Sequence, residues 1–412
     1  MIAFERYTLD NGLRIIVHQD KSTPLASVCM TYNVGTKHEE KDKTGFAHLF
    51  EHLMFGGSKN APNFDDYIQQ AGGENNAFTN QDMTVYYEYL PWQNLEVALW
   101  LEADRMLQLN LTERNLAKER KVVVEEFKES CLNEPYGDIW HHIGPLAYTK
   151  HPYRVPTIGE NIDHIANAKL EDVAAFFDNY YCPNNAVLVV AGNIQPEEVL
   201  ALATKWFGDI PRGRAAIPVL PIEPVQTEKR TLEVTANVPL DALYLVFQGA
   251  KRDSNDYYID DFITDVLADG DAAKLYQQLV KEQELFADID AYVTASIDTG
   301  LLVVEGRLAE EVTFEQAEAA LWQTLHQLSN TLLAVDAVQK LQNKIEHNIE
   351  FSTMNHLHKA INLGYYEMLG DANWINQEKE KYNQITALDI RERSQRIFQE
   401  SQCSVIYYKV RK

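Results

Sequence analysis

Long apolar runs are missing from this 412-residue chain. Nowhere do about 18 apolar residues follow one another, the length a helix needs to cross a bilayer, so no membrane contact is expected. Basic residues are scarce beside acidic ones: 37 Lys and Arg face 61 Asp and Glu, a net charge of −24. That balance argues against a nucleic-acid partner, which calls for a basic patch or stripe. It is compatible with neutral or basic partners. Cysteine is rarer still. Cys29, Cys131, Cys182 and Cys403 are widely scattered and form no CxxC pair. A disulfide framework or a thiolate zinc site is therefore not expected, and buried reduced thiols of a cytosolic protein fit better. The opening residues MIAFERYTLDNGLRIIV lack the basic and apolar regions of a signal peptide, so a cytoplasmic location is the expectation. With 45% apolar and 24% charged residues the chain can build ordinary cores. Its length suggests two or three domains, since single cores stop growing near roughly 250–300 residues.

The first segment reads as strands, with Asp10-Asn11-Gly12 turning a hairpin between Phe4–Leu9 and Leu13–Val17, and a third run from Leu25 to Val34. A helix is predicted from Thr44, a candidate cap, to Phe55 before Gly56-Gly57. A second helix near Asn63–Ala71, a hairpin within Asn75–Leu90 and long helices near Leu95–Leu107 and Thr112–Ser130 follow. Residues 133–159 read as a loop rich in His, Pro and Gly. Helix, buried strand and helix then complete the half at Leu170–Tyr180, Ala186–Ala191 and Glu197–Phe207. Prolines at 211, 218, 221 and 224 mark a semi-rigid linker. It separates residues 1–210 from residues 225–412. The two halves share a pattern: HLFEHLMFGG, DDYIQQAGG and NNAFTNQDMTVYYEYL in the first, DFITDVLADG, AAKLYQQLVKEQ and ADIDAYVTASIDTGLLVVEGRL in the second. This points to a duplicated α+β domain.

The sharpest feature is His48-Leu49-Phe50-Glu51-His52. Positions i and i+4 of a helix share a face about 5–6 Å apart, so the two imidazoles can bind one metal ion. Glu51, at i+3 from His48, can take a proton from a metal-bound water. Composition alone gives about 0.05 such H-x-x-[D/E]-H patterns in a chain of this make-up, which favours a site over accident. Phe46, Leu49, Phe50, Leu53 and Phe55 make this helix apolar nearly all round, and buried imidazoles and carboxylates need partners. A catalytic zinc site takes three protein ligands and leaves a position open. The stretch Glu119–Glu126 offers carboxylates in an apolar setting, and Glu119 and Glu126, seven apart, share a face with Val122 and Val123. Glu126 is the candidate ligand, with Glu119 acting from outside the ligand set. Glu125 and Glu129 read as a solvated face.

Together, H-x-x-E-H at 48–52 and E-R-x-V-V-x-E-E ending at Glu126 resemble the pitrilysin/insulysin family of zinc peptidases, in particular the branch of the mitochondrial processing peptidase and its bacterial relatives. Leu9-Asp10-Asn11-Gly12-Leu13, Gly72-Gly73 with Asn76-Ala77, His151-Pro152-Tyr153 with Ile158-Gly159, and Tyr181-x-Pro183-Asn184-Asn185 with Val190-Ala191-Gly192 are similar too. The resemblance implies two homologous α+β domains, each an antiparallel sheet packed with helices, closing like a clam around a peptide chamber. It implies one Zn2+ per chain on His48, His52 and Glu126, with Glu51 as general base and Glu119 as auxiliary carboxylate. It also implies an edge strand at Asn76, Ala77 and Phe78 to which an extended substrate adds.

One departure matters. The resemblance implies an Arg and a Tyr, seven apart, in the second half of self-sufficient members, and Val280 and Ala287 stand there, with Lys281 and Phe286 adjacent. Asp261-Phe262-Ile263-Thr264-Asp265 replaces the zinc motif in that half. The expectation is a zinc endopeptidase acting on peptides or unfolded segments, with basic residues favoured by the acidic balance. A homodimer, or a heterodimer with a zinc-free homologous chain supplying Arg and Tyr, goes with it; the competing class is a non-catalytic assembly subunit. Of the remaining histidines, His141, His142 and His151 read as loop residues in hydrogen bonds. His347, His356 and His358 read as residues of a helix without a second metal site.

Overall fold

A computed structural model describes residues 1–215 and 218–411; residues 216 and 217 of the proline-rich linker, and residue 412, lie outside the described residues. The strands are β1 (Glu5–Thr8), β2 (Arg14–Gln19), β3 (Leu25–Tyr32), β4 (Glu74–Thr79), β5 (Thr84–Pro91), β6 (Ala186–Gly192), β7 (Arg230–Ala236), β8 (Ala242–Gln248), β9 (Phe286–Val293), β10 (Leu301–Leu308) and β11 (Cys403–Val410). The first helices are α1 (Phe46–Leu53), α2 (Phe64–Gln70), α3 (Leu95–Gln108), α4 (Glu113–Phe127), α5 (Ile139–Ala147), α6 (Ile162–Ala166), α7 (Leu170–Tyr180) and α8 (Pro196–Phe207). The later ones are α9 (Asn255–Ala268), α10 (Phe314–Asn330), α11 (Val335–Ser352), α12 (His356–Leu369), α13 (Glu378–Asn383) and α14 (Ala387–Ile397). None of them is long and apolar enough to cross a membrane. All four cysteines are buried and none is in a disulfide.

The chain divides into two compact units. The first comprises Met1–Glu129, Val155–Val219 and Glu350–Gln377, the second Ser130–Arg154, Leu220–Ile349 and Glu378–Lys412. This differs from a single cut at 211–224, because two segments sit in the other half's unit. The reason lies in what their apolar faces bury. In the first unit α12 packs on β3 and β6, with Ala360, Leu363 and Gly364 fully buried or nearly so. A Cβ at Gly364 would lie 2.6 Å from Thr31 Oγ1, so glycine permits the close approach. In the second unit α5 packs on β7, β8 and β11, where Ile143, Ala147 and Tyr148 share a core with Tyr244, Val246, Val303 and Ile406.

The first sheet runs β1-β2-β6-β3-β5-β4 and the second β7-β11-β8-β10-β9. Neither is purely antiparallel as expected: β2 pairs β6 in parallel, and β7 pairs β11 in parallel. These two pairs join strands from opposite ends of each half, and such pairing needs a long crossover. β6, AVLVVAG, is apolar along its whole length and every residue of it is buried, as in strands covered on both faces. Leaving β1 aside, the two sheets have the same order and the same pairing senses, so the duplicated pattern of the halves is a duplicated topology.

The described part of the linker has neither helix nor strand, yet Glu223 is pinned. Its carboxylate accepts hydrogen bonds from the N–H groups of Thr149, Lys150 and His151 and from Thr149 Oγ1, each at 2.8 Å. Glu223 is 7% exposed, and these bonds hold its carboxyl below the ordinary carboxylate range against the opposing effect of burial. Glu223→Ala leaves the buried His151 N–H and the part-buried N–H groups of Thr149 and Lys150 without this acceptor, and a loss of about 2–3 kcal/mol is expected in a denaturant titration. An unchanged midpoint would show that water replaces the carboxylate at no cost.

His38, before α1, is buried, and burial with the Lys37 charge lowers its imidazole to about 4. An unfolded chain takes that proton near 6.5. Between those values the unfolded state binds more protons at this residue, so the His38 contribution to stability falls as pH drops from about 6.5 to 4 and levels off below, by up to ~3 kcal/mol. Unfolding free energies measured across that interval should flatten in His38→Gln, and equal slopes in both proteins would contradict the assignment.

Candidate metal centre

α1 spans two turns, and its burial follows its sequence: Phe46, Ala47, His48, Leu49, Phe50 and Leu53 are buried. Its N-terminus departs from expectation. Thr44 does not cap it; the Thr44 hydroxyl pairs with His164 Nδ1 at 2.8 Å and accepts the Glu160 N–H at 2.9 Å. The cap position is Gly45, at φ +85°. The first-turn N–H groups of Gly45 and Ala47 instead donate to the two oxygens of Glu39, each at 2.8 Å. Burial pushes the Glu39 carboxyl up to about 8, opposed by those same N–H groups. At the other end Gly57, at φ +89°, passes so close to Pro62 that a Cβ would meet its carbonyl oxygen at 2.3 Å.

On this helix the His48 and His52 rings stand 5.0 Å apart, nearly perpendicular. α4 packs against α1 and brings in the third group. Glu126 Oε1 lies 3.5 Å from His48 Nε2, and Oε2 lies 3.2 Å from His52 Nε2. Among the described residues these three form the one group whose donor atoms all fall within 4.8 Å of one another. Two ligands about 2.1 Å from a tetrahedral zinc stand about 3.4 Å apart. The observed separations bracket that value, so two imidazoles and a carboxylate, borderline and hard donors suited to zinc, fit the ion in kind and spacing.

Electrostatics agree. Burial lowers the His48 imidazole, against the raising effect of Glu126. Burial also pulls on His52, but the hydrogen bond and charge of Glu126 outweigh it and raise that imidazole. The His52 hydrogen bond holds the Glu126 carboxyl low and therefore ionised. Glu119 is buried and points an oxygen at His52 Nδ1 from 3.9 Å, while its other oxygen pairs with Lys118 Nζ at 2.9 Å. It stands beside the ligand set rather than in it. Glu51 is half-buried and makes its charge felt at both histidines and at Tyr86 and Tyr181. Val123 is buried on the expected face of α4, but Val122 is 42% exposed and belongs to the solvent side.

Asn76, Ala77 and Phe78 lie on β4, the last strand of its sheet, paired on one side with β5 and packed beside α1. The free edge of β4 is thus next to the helix that carries the histidines. His141 and His142 are not in a loop but on α5, where His142 Nε2 meets Asp138 Oδ2 at 3.1 Å. His151 is buried against Asp298 at 3.4 Å. In the second unit Val280 packs against the core and Ala287 is exposed on β9. Neither position offers a hydrogen-bonding side chain.

Three supports of α1 escaped the reading of the sequence. Besides Glu39, Tyr86 donates from its hydroxyl to the Phe50 carbonyl at 3.1 Å, and Arg105 lies fully buried against Tyr86, Phe64 and Phe55. All act over distances in sequence that leave no local pattern.

Comparison with known proteins gives the family. A family model described as insulinase (peptidase family M16) matches residues 14–143, and one described as peptidase M16 inactive domain matches residues 167–345. His48, Glu51, His52, Glu119 and Glu126 all fall in the former match and none in the latter. The zinc protease PqqE of Helicobacter pylori is 34% identical over 287 residues, 68% of this chain and 64% of that protein's length. The beta subunit of the mitochondrial-processing peptidase of Blastocladiella emersonii is 25% identical over 304 residues, 71% of this chain and 64% of its own. The crystal structure of a protease from Helicobacter pylori superposes with a TM-score of 0.94 at 26% identity, covering 99% of this chain and all of that one. The chain belongs to the insulinase, or pitrilysin-like, family of peptidases.

Proposed function

We propose that the chain is a zinc endopeptidase that hydrolyses extended peptides or unfolded segments. The observation that carries this is the convergence of a ring nitrogen of His48, a ring nitrogen of His52 and a Glu126 oxygen within 4.8 Å of one another, with Glu51 on the same helix. A zinc ion held there would polarise the scissile carbonyl and acidify a water molecule. Glu51 takes the proton of the attacking water and delivers it to the leaving amine. Glu119 steadies the His52 ring through Nδ1, as outer carboxylates do for ligating histidines. The free edge of β4 at Asn76–Phe78 takes the substrate backbone as an added strand, and the acidic balance of the chain favours substrates with basic residues.

A second reading has its own support. Val280 and Ala287 bring no polar group where the family resemblance implies Arg and Tyr, so the chain works with a homologous partner that supplies them. A merely structural subunit is disfavoured by the intact quartet of His48, Glu51, His52 and Glu126. The test is cleavage of a long, unstructured basic peptide by the zinc-loaded chain alone. Cleavage that stops with a chelator and returns with zinc supports the first reading. Bound zinc without cleavage favours the partner reading, and no zinc binding contradicts both.

A further inference from the structure

The two histidines of α1 are not equally supported. His52 has Glu119 facing its Nδ1, whereas His48 Nδ1 is buried with no hydrogen-bond partner among the described residues. On its Nδ1 side no hydrogen bond orients the His48 ring, so its placement leans on the backbone turn that carries it. That turn has no cap of its own: Gly45 has no side chain, and the Thr44 hydroxyl is engaged with His164 and the Glu160 N–H. The turn is held by Glu39, whose oxygens take the N–H groups of Gly45 and of Ala47, the residue before His48, each at 2.8 Å.

There is an electrostatic side as well. The N-terminal end of a helix is its positive pole, an unfavourable neighbour for a cation on the first turn. The two oxygens of Glu39 that accept N–H groups at that end turn their partial negative charge toward the pole. Resting on the zinc reading above, we infer that Glu39 is a positioning residue for the metal: through its two N–H contacts it fixes the first turn of α1, and with it His48 against Glu126. Glutamine cannot replace it. One amide oxygen can accept one N–H, but the amide NH2 then faces the other N–H, donor against donor.

The test is the zinc dissociation constant of Glu39→Gln, measured by competition with a chelating dye. Amide exchange at Gly45 and Ala47 and the melting temperature of the zinc-free protein are followed alongside. Zinc binding about 10–100-fold weaker, with faster exchange at those two amides and a zinc-free fold that still melts cooperatively, is expected. An unchanged constant in a folded variant overturns the inference, since a purely structural cap would move the melting temperature and not the affinity. Should Glu39→Gln fail to fold, Glu39→Asp keeps the carboxyl group and shortens the reach. A loss of about 3–10-fold there supports the inference and no loss overturns it. Wild-type protein that binds no zinc at all would overturn the site itself, a failure distinct from that of Glu39.

Discussion

Glu51→Gln should retain one zinc per chain and lose about 10²–10⁴-fold in kcat, with KM within about threefold of wild type. The expectation follows from where Glu51 stands. It is on the helix face of both histidines and interacts with each of them electrostatically, but it is not among the three residues whose donor atoms converge. Glutamine keeps its shape and removes the ability to take a proton. The prediction separates three roles. A variant that cleaves normally rules out Glu51 as base. One that loses zinc makes Glu51 a ligand. One that holds zinc and cannot turn over substrate has lost the base alone. Glu126→Gln serves as the contrast, since there metal and activity should fall together. If cleavage requires a partner chain, the same comparison is made in its presence.

The largest effect on stability is expected at Arg105→Met, a loss of about 3–5 kcal/mol. Arg105, Glu102 and Glu88 are all fully buried. Arg105 is hydrogen-bonded to Glu102 through Nε at 3.0 Å and again through Nη2, which also reaches Glu88 at 3.4 Å. Its plane lies on the rings of Tyr86 and Phe64, 4.4 and 4.5 Å from their centroids. Burial and the Glu102 charge drive the Glu88 carboxyl well up, while the two carboxylates keep Arg105 firmly charged despite burial. The cluster is a buried cation held between two carboxyl groups that oppose each other's ionisation. Removing the cation strands an anion in the core, which is where the cost arises. Replacing Glu102 by Leu in the same chain should recover much of it, because an apolar set of similar volume is often neutral. A single variant within about 0.5 kcal/mol of wild type would contradict this picture of the core.

What could be read from the sequence was what is local. His48 and His52 are one helical turn apart, so the motif carries its own geometry. Asp10-Asn11-Gly12 turns the β1–β2 hairpin as expected, and the β4–β5 hairpin lies where its β-rich residues put it. Long-range pairing was not legible. The parallel partner of β2 is β6, more than 160 residues later, and nothing in the residues of α5 or α12 names the sheet on which each packs. Local signals also misled where a distant group competed. Thr44 is a good cap residue, but Glu39 takes that role from six residues upstream. Residues 133–159 read as a loop for their His, Pro and Gly, yet Gly144 and Pro145 lie within α5. Glycine is required there because a Cβ would come 2.3 Å from the Arg154 carbonyl oxygen. Val122 shows the limit of spacing arguments, since it sits at the margin of the face that Val123 buries.

The central claim is that His48, His52 and Glu126 together hold one zinc ion. Elemental analysis of the zinc-equilibrated chain after dialysis, beside His48→Ala, His52→Ala and Glu126→Ala confirmed as folded, tests it most directly. One zinc per wild-type chain and well under one in each variant is the predicted result; wild-type stoichiometry in all three variants would contradict it.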